Sequence, residues 1–232
     1  MAVAVFLLGP PASGKSTLSR QLEDRHHTRT FRLRECADQR ARTDAALAAV
    51  MREGADSLGW LPDKAAVALV REAVTGQYQP TEVTPVIFEG YPGNGYQADC
   101  LARLLAALRV PALALVLRLA PQVARRRAED RRVCPACTTE DAEPHRPARI
   151  GQDGLCACCG AQVQRRGSDQ PQQHDARTAR FLRNLPSIRN ALSTQGVTWR
   201  ILDAELPPAL VLAAAEAELH VHLPKGSPRE HR

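Results

Sequence analysis

Residues 9–17, GPPASGKST, combine residue types that bind phosphate. Gly9 and Gly14 are separated by four residues and are followed by Lys15 and Ser16, which is the spacing of a phosphate-binding loop. Backbone N–H groups of such a loop converge on phosphate oxygens, and the lysine and the following helix N-terminus add positive charge. We therefore expect ATP or GTP as the phosphoryl donor. The predicted nucleotide-binding residues are Gly9, Ser13, Gly14, Lys15, Ser16 and Thr17, and Ser16 or Thr17 could also hold Mg²⁺.

Four of the seven cysteines form two CxxC pairs, Cys134/Cys137 and Cys156/Cys159, with eighteen residues between the pairs. This spacing is typical of a four-cysteine zinc site, in which two turns each present two thiolates to a tetrahedral ion. Cys158 could compete with Cys159, although two intervening residues make the better turn. A redox pair and incidental buried thiols are the alternatives. The Zn²⁺ would be structural, because the surrounding residues 133–170 have too few apolar side chains to form a core.

The remaining cysteines and the histidines are not expected to take part in the chemistry. Cys36 and Cys100 are interpreted as packing residues. The histidines have no spacing that makes them metal ligands, so we expect them at the surface: His26, His27, His145, His174 and those near the C-terminus.

The elements that position these groups alternate between short apolar runs and longer helical patterns. Helical stretches are expected at residues 16–25, 63–74 and 97–109. Nearly continuous apolar strands indicate a parallel sheet covered by helices on both faces, so the expected fold is an α/β sandwich. The predicted strands are residues 3–8, 30–33, 86–89, 113–119 and 198–202. Residues 133–170 interrupt this pattern and are expected to form a small inserted module.

Composition limits the class of ligand. The chain has 232 residues and a formal net charge of +6, with arginine clusters at residues 125–132 and 177–189, which favours an anionic partner. Aromatic residues make up only 4%, so the stacking platforms of single-strand nucleic-acid binding are scarce. The first apolar run is too short to span a membrane and lacks a basic leader. We expect a cytoplasmic protein that binds neither nucleic acid nor membrane.

Several segments, in the same order along the chain, resemble adenylate kinase and the related nucleoside monophosphate kinases. The phosphate loop is similar, although that family usually has glycine where this chain has Ala12 and Ser16. Residues 58–70, LGWLPDKAAVALV, and 88–101, FEGYPGNGYQADCL, resemble the Leu-Val-Pro-Asp and Leu-Asp-Gly-Phe-Pro-Arg segments. Residues 125–137 and 156–170 are similar to the two sides of a zinc-bearing lid, and WRILDA, residues 199–204, is similar to the last strand.

The resemblance implies a P-loop three-layer sandwich with a five-stranded parallel sheet. It also implies that the protein is a monomer and uses ATP and Mg²⁺. It divides the chain into a core, a helical acceptor-binding insertion at residues 34–76 and a lid at residues 127–170 that closes over ATP. The core would comprise residues 1–33, 77–126 and 171–221, followed by a mobile tail at residues 222–232. The implied phosphate clamp consists of Lys15, Arg131, Arg166 and Arg177, with Arg127 on the adenine or its phosphates. We expect Arg127 and Arg131 to share one helical face because they are four residues apart.

The acceptor half departs from the family pattern. Glu89 stands where the family has a Mg²⁺-associated aspartate, and Gln97 retains the position that reads the base of AMP. The threonine and the two arginines that bind the acceptor in the family are replaced by Leu33, Asp38 and Gly93. A lost two-pronged arginine contact weakens phosphate binding by about 1.5–3 kcal/mol.

Three functions are consistent with this pattern. In the first, which we favour, Arg32, Arg34 or Arg40 takes over the acceptor phosphate, and the chain is an ATP-dependent nucleoside monophosphate kinase. In the second, the chain phosphorylates a different small molecule. The third is a zinc-containing nucleotide-binding module without catalytic activity, which ATP turnover with any acceptor would exclude.

Overall fold

The computed structural model describes residues 3–81, 84–137 and 148–222. Its centre is a five-stranded parallel sheet. The strands of this sheet are β1 (Ala4–Leu8), β2 (Arg29–Phe31), β3 (Val86–Glu89), β4 (Ala112–Arg118) and β7 (Thr198–Asp203). Their order across the sheet is β2-β3-β1-β4-β7. The fold class predicted from the sequence, an α/β protein with five parallel strands, is confirmed.

Helices cover both faces of the sheet, and each face has its own core. Side chains alternate along a strand, so Phe6 of β1 faces one core whereas Val5 and Leu7 face the other. The helices are α1 (Lys15–His26), α2 (Leu33–Ala41), α3 (Ala45–Ala49), α4 (Asp63–Thr75), α5 (Gly95–Ala107), α6 (Pro121–Asp130), α7 (Pro171–Thr194) and α8 (Pro208–His222). Helices α5 and α7 pack together on the Phe6 side, and α1 and α8 pack together on the opposite side.

Two smaller regions extend from this core. Helices α2 to α4, with a π-helical turn at Val50–Gly54, lie between β2 and β3 in the sequence and overlap the predicted acceptor-binding insertion at residues 34–76. The antiparallel pair β5 (Arg132–Val133) and β6 (Gln164–Arg165) begins and ends the region that carries the cysteines. Part of the predicted lid, residues 138–147 with His145, lies outside the described residues. The same is true of residues 223–232 of the predicted tail.

Two expectations are wrong. Arg127 and Arg131 do not share a helical face, because α6 ends at Asp130 and Arg131 has extended backbone angles (φ −68°, ψ 131°) as the chain turns into β5. His174 is not at the surface: it is 1% exposed on α7. The His26 side chain is also only 12% exposed, and it contacts Glu216 at 2.8 Å.

None of the helices in the described ranges has the length and apolar character needed to cross a bilayer.

Candidate active site

The phosphate loop joins the end of β1 to the start of α1. Gly14 precedes α1 with φ +92°, a conformation that glycine adopts without the steric penalty of a Cβ. Lys15 begins the helix, and its Nζ donates hydrogen bonds to the carbonyl oxygens of Gly9 (2.9 Å) and Pro10 (2.8 Å). The ammonium group therefore lies against the loop whose backbone N–H groups would contact phosphate.

Four cationic side chains face one cleft beside this loop. The cleft has a volume of about 590 Å³, and its lining includes Lys15, Arg131, Arg166 and Arg177. The pKa of Lys15 is lowered to about 8, mainly by burial; the charge of Glu89 opposes this shift, and the charges of the three arginines contribute to it. Such crowding of positive charge is unfavourable without an anion, and an anionic ligand would relieve it.

The arginines themselves show the same crowding. Burial, followed by the charges of Arg131 and Arg177, lowers the pKa of Arg166 to about 10. Burial also lowers the pKa of Arg177, with Arg131 and Arg34 contributing in the same direction and Asp169 opposing them. Arg131 is held by Asp169 through two hydrogen bonds of 2.7 and 2.5 Å. Arg127 lies in the last turn of α6 and is not one of the described residues that line the cleft.

Glu89 forms a hydrogen-bonded network at the end of β3. Its Oε1 accepts a hydrogen bond from Ser16, and its Oε2 accepts from Ser19 (2.8 Å) and from Nε of Arg32 (2.7 Å). Burial alone would raise the pKa of Glu89, but the charge of Arg32 and the hydroxyl hydrogen bonds lower it overall. The carboxylate therefore stays ionised beside the phosphate loop. Hard oxygen ligands of this kind suit Mg²⁺.

Ser19 is a site residue that the sequence reasoning missed. It lies three residues after Ser16 on α1, so the two hydroxyls share one face of the helix. Arg32 also donates through Nη2 to the Ser19 hydroxyl at 3.1 Å. The i, i+3 spacing of the two serines was the available signal for this network.

The proposed acceptor-binding residues occupy different surroundings. Arg34 lines the cleft and donates a hydrogen bond to the carbonyl oxygen of Gly59. Arg40 pairs with Glu72 at 3.1 Å and is not among the described cleft residues. Gln97 is 3% exposed; its Oε1 accepts from the Gly93 N–H (2.8 Å), and its Nε2 donates to Asp63 (2.7 Å).

Trp60 covers the backbone at Gly93. A Cβ placed on Gly93 would lie 2.6 Å from a ring carbon of Trp60, so a larger residue could not be accommodated without moving the indole. The guanidinium of Arg180 lies 4.6 Å from the ring centroid. Sequence reasoning missed this contact because Trp60 and Gly93 are far apart in the chain.

The four cysteines of the two CxxC pairs come together as expected from their spacing. Their sulfur atoms all lie within 4.8 Å of one another, and neighbouring sulfurs are 3.3–3.6 Å apart. Four thiolates bound to zinc at about 2.3 Å would be separated by roughly 3.8 Å, so the arrangement is compatible with this ion. Within the described residues, Cys158 is exposed and does not contribute to the cluster.

Comparison with known proteins identifies relatives along most of the chain, although no family model matches it. Adenylate kinase of Pelobacter propionicus is 24% identical over 204 residues, covering 88% of this chain and 90% of the relative. Adenylate kinase of Acidothermus cellulolyticus is 25% identical over 218 residues, covering 93% and 97%. That of Moorella thermoacetica is 26% identical over 226 residues, covering 92% and 96%. Together with the five-stranded parallel fold, these similarities relate the chain to the adenylate kinase family.

Proposed function

We propose that this chain is an ATP- and Mg²⁺-dependent kinase that transfers the γ-phosphoryl group to a nucleoside monophosphate. The observation that carries this proposal is the convergence of Lys15, Arg131, Arg166 and Arg177 on the cleft beside the phosphate loop. The transition state of phosphoryl transfer spreads negative charge over the equatorial oxygens of the moving group. Preorganised cations in a partly buried cleft stabilise that charge more strongly than water does.

The individual residues have distinct roles in this proposal. The phosphate loop holds the β- and γ-phosphates, and Lys15 exchanges its contacts with the loop carbonyls for contacts with phosphate oxygens. Arg131, positioned by Asp169, and the neighbouring Arg166 and Arg177 surround the transferred group. Arg131 and Arg166 directly flank the region of the cysteines, whereas Arg177 lies on α7. Closure of that region over the cleft would also exclude water.

The oxygen atoms around Ser16 are suited to Mg²⁺. The Ser16 hydroxyl and the Glu89 carboxylate are in contact beside the phosphate loop, and both are hard ligands. Mg²⁺ held by these oxygens would help to neutralise the negative charge of the phosphates during transfer. The contribution of the protein is to keep Glu89 ionised, which the low pKa of this carboxyl ensures. Zn²⁺ held by the four cysteines would have a structural role.

A nucleoside monophosphate is the first candidate acceptor. The relatives are adenylate kinases. Arg32 and Arg34 both line the cleft, at the start of the predicted acceptor-binding insertion. Arg32 lies next to Glu89, close to the site of transfer, so its position is the more suitable one for contacting an acceptor phosphate. The prediction that Arg40 binds the acceptor receives no support from its pairing with Glu72.

Two observations favour the second candidate, phosphorylation of a different small molecule. Trp60 lies against Gly93, the position at which the resemblance implies a phosphate-binding arginine, and Asp38 lines the cleft at another such position. The acceptor half therefore carries less positive charge than the donor half.

A cytoplasmic location and a monomeric state remain predictions.

ADP formation from Mg-ATP, measured with a panel of acceptors, tests the proposal. The panel comprises AMP, CMP, UMP and GMP, the four unphosphorylated nucleosides, and a control without acceptor. Rapid turnover of at least one monophosphate supports the first candidate. Turnover of a nucleoside alone supports the second candidate. Saturable ATP binding without turnover on a broad metabolite panel would contradict catalysis and favour a non-catalytic nucleotide-binding module.

A further inference from the structure

The indole ring of Trp60 lines the part of the cleft that the predicted acceptor-binding insertion forms, here called the acceptor half. Trp60 lines the cleft, and its ring lies against the backbone of Gly93, where an added Cβ would approach to 2.6 Å. Arg180 contacts the ring at 4.6 Å from its centroid but is not among the described residues that line the cleft. Trp60 is partly buried and lines the cleft, while Arg180 contacts its ring without lining the described part of the cleft. We take the remaining exposed part of the ring as the surface offered to a ligand.

Asp56 fixes the position of this wall. Its carboxylate contacts the guanidinium of Arg180 at 2.5 Å. The same side chain accepts hydrogen bonds from the backbone N–H groups of Leu58 (2.9 Å) and Trp60 (3.0 Å). The loop that carries Trp60 and the cation behind its ring are thus held by one residue. A binding surface that is already ordered does not incur the entropic cost of ordering when a ligand arrives.

Apolar side chains line the same cleft as Trp60. Leu33, Leu58 and Leu61 also line the cleft, and Leu33 packs against the buried core. By contrast, the polar groups of Gln97 are already engaged: its amide oxygen accepts from Gly93, and an N–H group donates to Asp63. The acceptor half therefore offers an aromatic face and leaves little hydrogen-bonding capacity on Gln97 for reading the edge of a base.

We infer that Trp60 is an acceptor-binding residue that stacks on the planar ring of the acceptor, a purine or a pyrimidine, and so favours acceptors that carry a base. This inference rests on the proposed kinase function and adds to it the means of acceptor recognition. Every base has a face that can stack on an aromatic side chain, whereas hydrogen bonds to the edge distinguish one base from another. Recognition by Trp60 should consequently contribute to the binding of all four nucleoside monophosphates.

Steady-state kinetics of Trp60→Leu and Trp60→Phe test the inference. Loss of stacking should raise the KM for the acceptor roughly five- to a hundredfold, while kcat and the KM for ATP change less than about threefold. Trp60→Phe retains an aromatic face and should recover most of the loss. An acceptor KM for Trp60→Leu within twofold of the parent protein would overturn the inference.

A fluorescence experiment avoids dependence on turnover and on the folding of Trp60 variants. The chain has two tryptophans, and Trp199 lies on β7, outside the described cleft lining. In Trp199→Phe, Trp60 is the only tryptophan, and saturable quenching by AMP and by CMP supports the inference. Unchanged emission at millimolar AMP and CMP would overturn it. Quenching without ADP formation would support stacking on Trp60 but contradict the proposed kinase function. ADP formation with an unaltered acceptor KM in Trp60→Leu would support the kinase function but contradict stacking on Trp60.

Discussion

Arg131 and Asp169 form a two-pronged ion pair where the chain leaves α6 for the region of the cysteines. Nε of Arg131 contacts Oδ2 of Asp169 at 2.7 Å, and Nη2 contacts Oδ1 at 2.5 Å. The Asp169 side chain is only 1% exposed, whereas that of Arg131 is 20% exposed. A two-pronged contact fixes the plane of a guanidinium, so we propose that Asp169 positions Arg131 within the proposed phosphate clamp.

Replacing Asp169 by asparagine should therefore impair the chemical step more than substrate binding. We expect kcat to fall roughly 10- to 100-fold, as is typical when a misplaced group loses its alignment, with a smaller change in the KM for ATP. Steady-state kinetics separate the two parameters. Asp99→Asn is a matched control because Asp99 pairs with Arg103 on the surface of α5. Equal losses in Asp169→Asn and Asp99→Asn, or a loss confined to KM, would argue against positioning.

Lys15 should give the ligand-free protein a characteristic pH dependence. Its pKa is lowered from 10.5 to about 8, mainly by burial. Above this pH the lysine loses the charge that attracts phosphate, so kcat/KM for ATP should decline as the pH rises through about 8. Bound phosphate favours the charged lysine, and kcat at saturation should decline only at higher pH. A kcat/KM profile that is flat from pH 7 to 10 would contradict the assignment.

The same shift has a consequence for stability. Between about pH 8 and 10.5 the folded lysine is neutral while the unfolded one retains its proton. The unfolded state then binds more protons, so this group makes the free energy of unfolding increase with pH. The melting temperature of the parent protein should therefore rise relative to that of Lys15→Met as the pH is raised from 7 to 10. A difference in melting temperature that does not change with pH would contradict the lowered pKa of Lys15.

The fold and the donor half of the site follow from local sequence patterns. The loop at residues 9–17 lies directly after a buried strand and before a helix, so its residues are positioned by their immediate neighbours. The zinc-compatible cysteines are similarly defined by two short spacings. Such local signals can be interpreted from the sequence because few long-range contacts decide them.

The features that sequence reasoning missed depend on contacts between distant segments. Arg131 leaves the helix because the next residue pairs with Arg165 in a two-stranded sheet, and a helical period does not reveal this pairing. Trp60 and Gly93 meet only after the insertion folds back on the core. His174 is buried on α7 although it is polar, and the local composition gave no sign of this burial. Tertiary packing, rather than propensity, decides these positions.

Glu89 should support both catalysis and stability. Glu89→Gln removes a negative charge that faces Arg32 and the Ser16 hydroxyl, so we expect weaker apparent Mg²⁺ affinity and a lower kcat. Titration of activity with Mg²⁺ at fixed ATP measures the first effect. Glu72→Gln is the control, because Glu72 is an exposed carboxylate that pairs with Arg40 outside the described cleft lining. Unchanged Mg²⁺ dependence in Glu89→Gln would contradict the metal-associated role.

Acid titration provides a second readout for Glu89. Its folded pKa is lower than the ordinary value of 4.5, so its stabilising contribution is present above that value and is lost as the pH falls through the folded pKa. The difference in melting temperature between the parent protein and Glu89→Gln should therefore shrink when the pH is lowered from about 6 to 3. A constant difference across this range would indicate that the carboxylate charge is not the source of the stability.

The cysteine cluster allows a test in which one variant serves as the control for another. Cys134 is a buried member of the four-sulfur cluster, whereas Cys158 is exposed and its sulfur lies outside the cluster among the described residues. Cys134→Ser should lose bound zinc and lower the melting temperature, because the metal stabilises a region with few apolar side chains. Cys158→Ser should retain one zinc ion per chain and the melting temperature of the parent protein. Metal content by elemental analysis, with unfolding followed with and without a chelator, measures both effects. Full zinc occupancy in Cys134→Ser, or zinc loss in Cys158→Ser, would show that the ion is held by a different set of ligands.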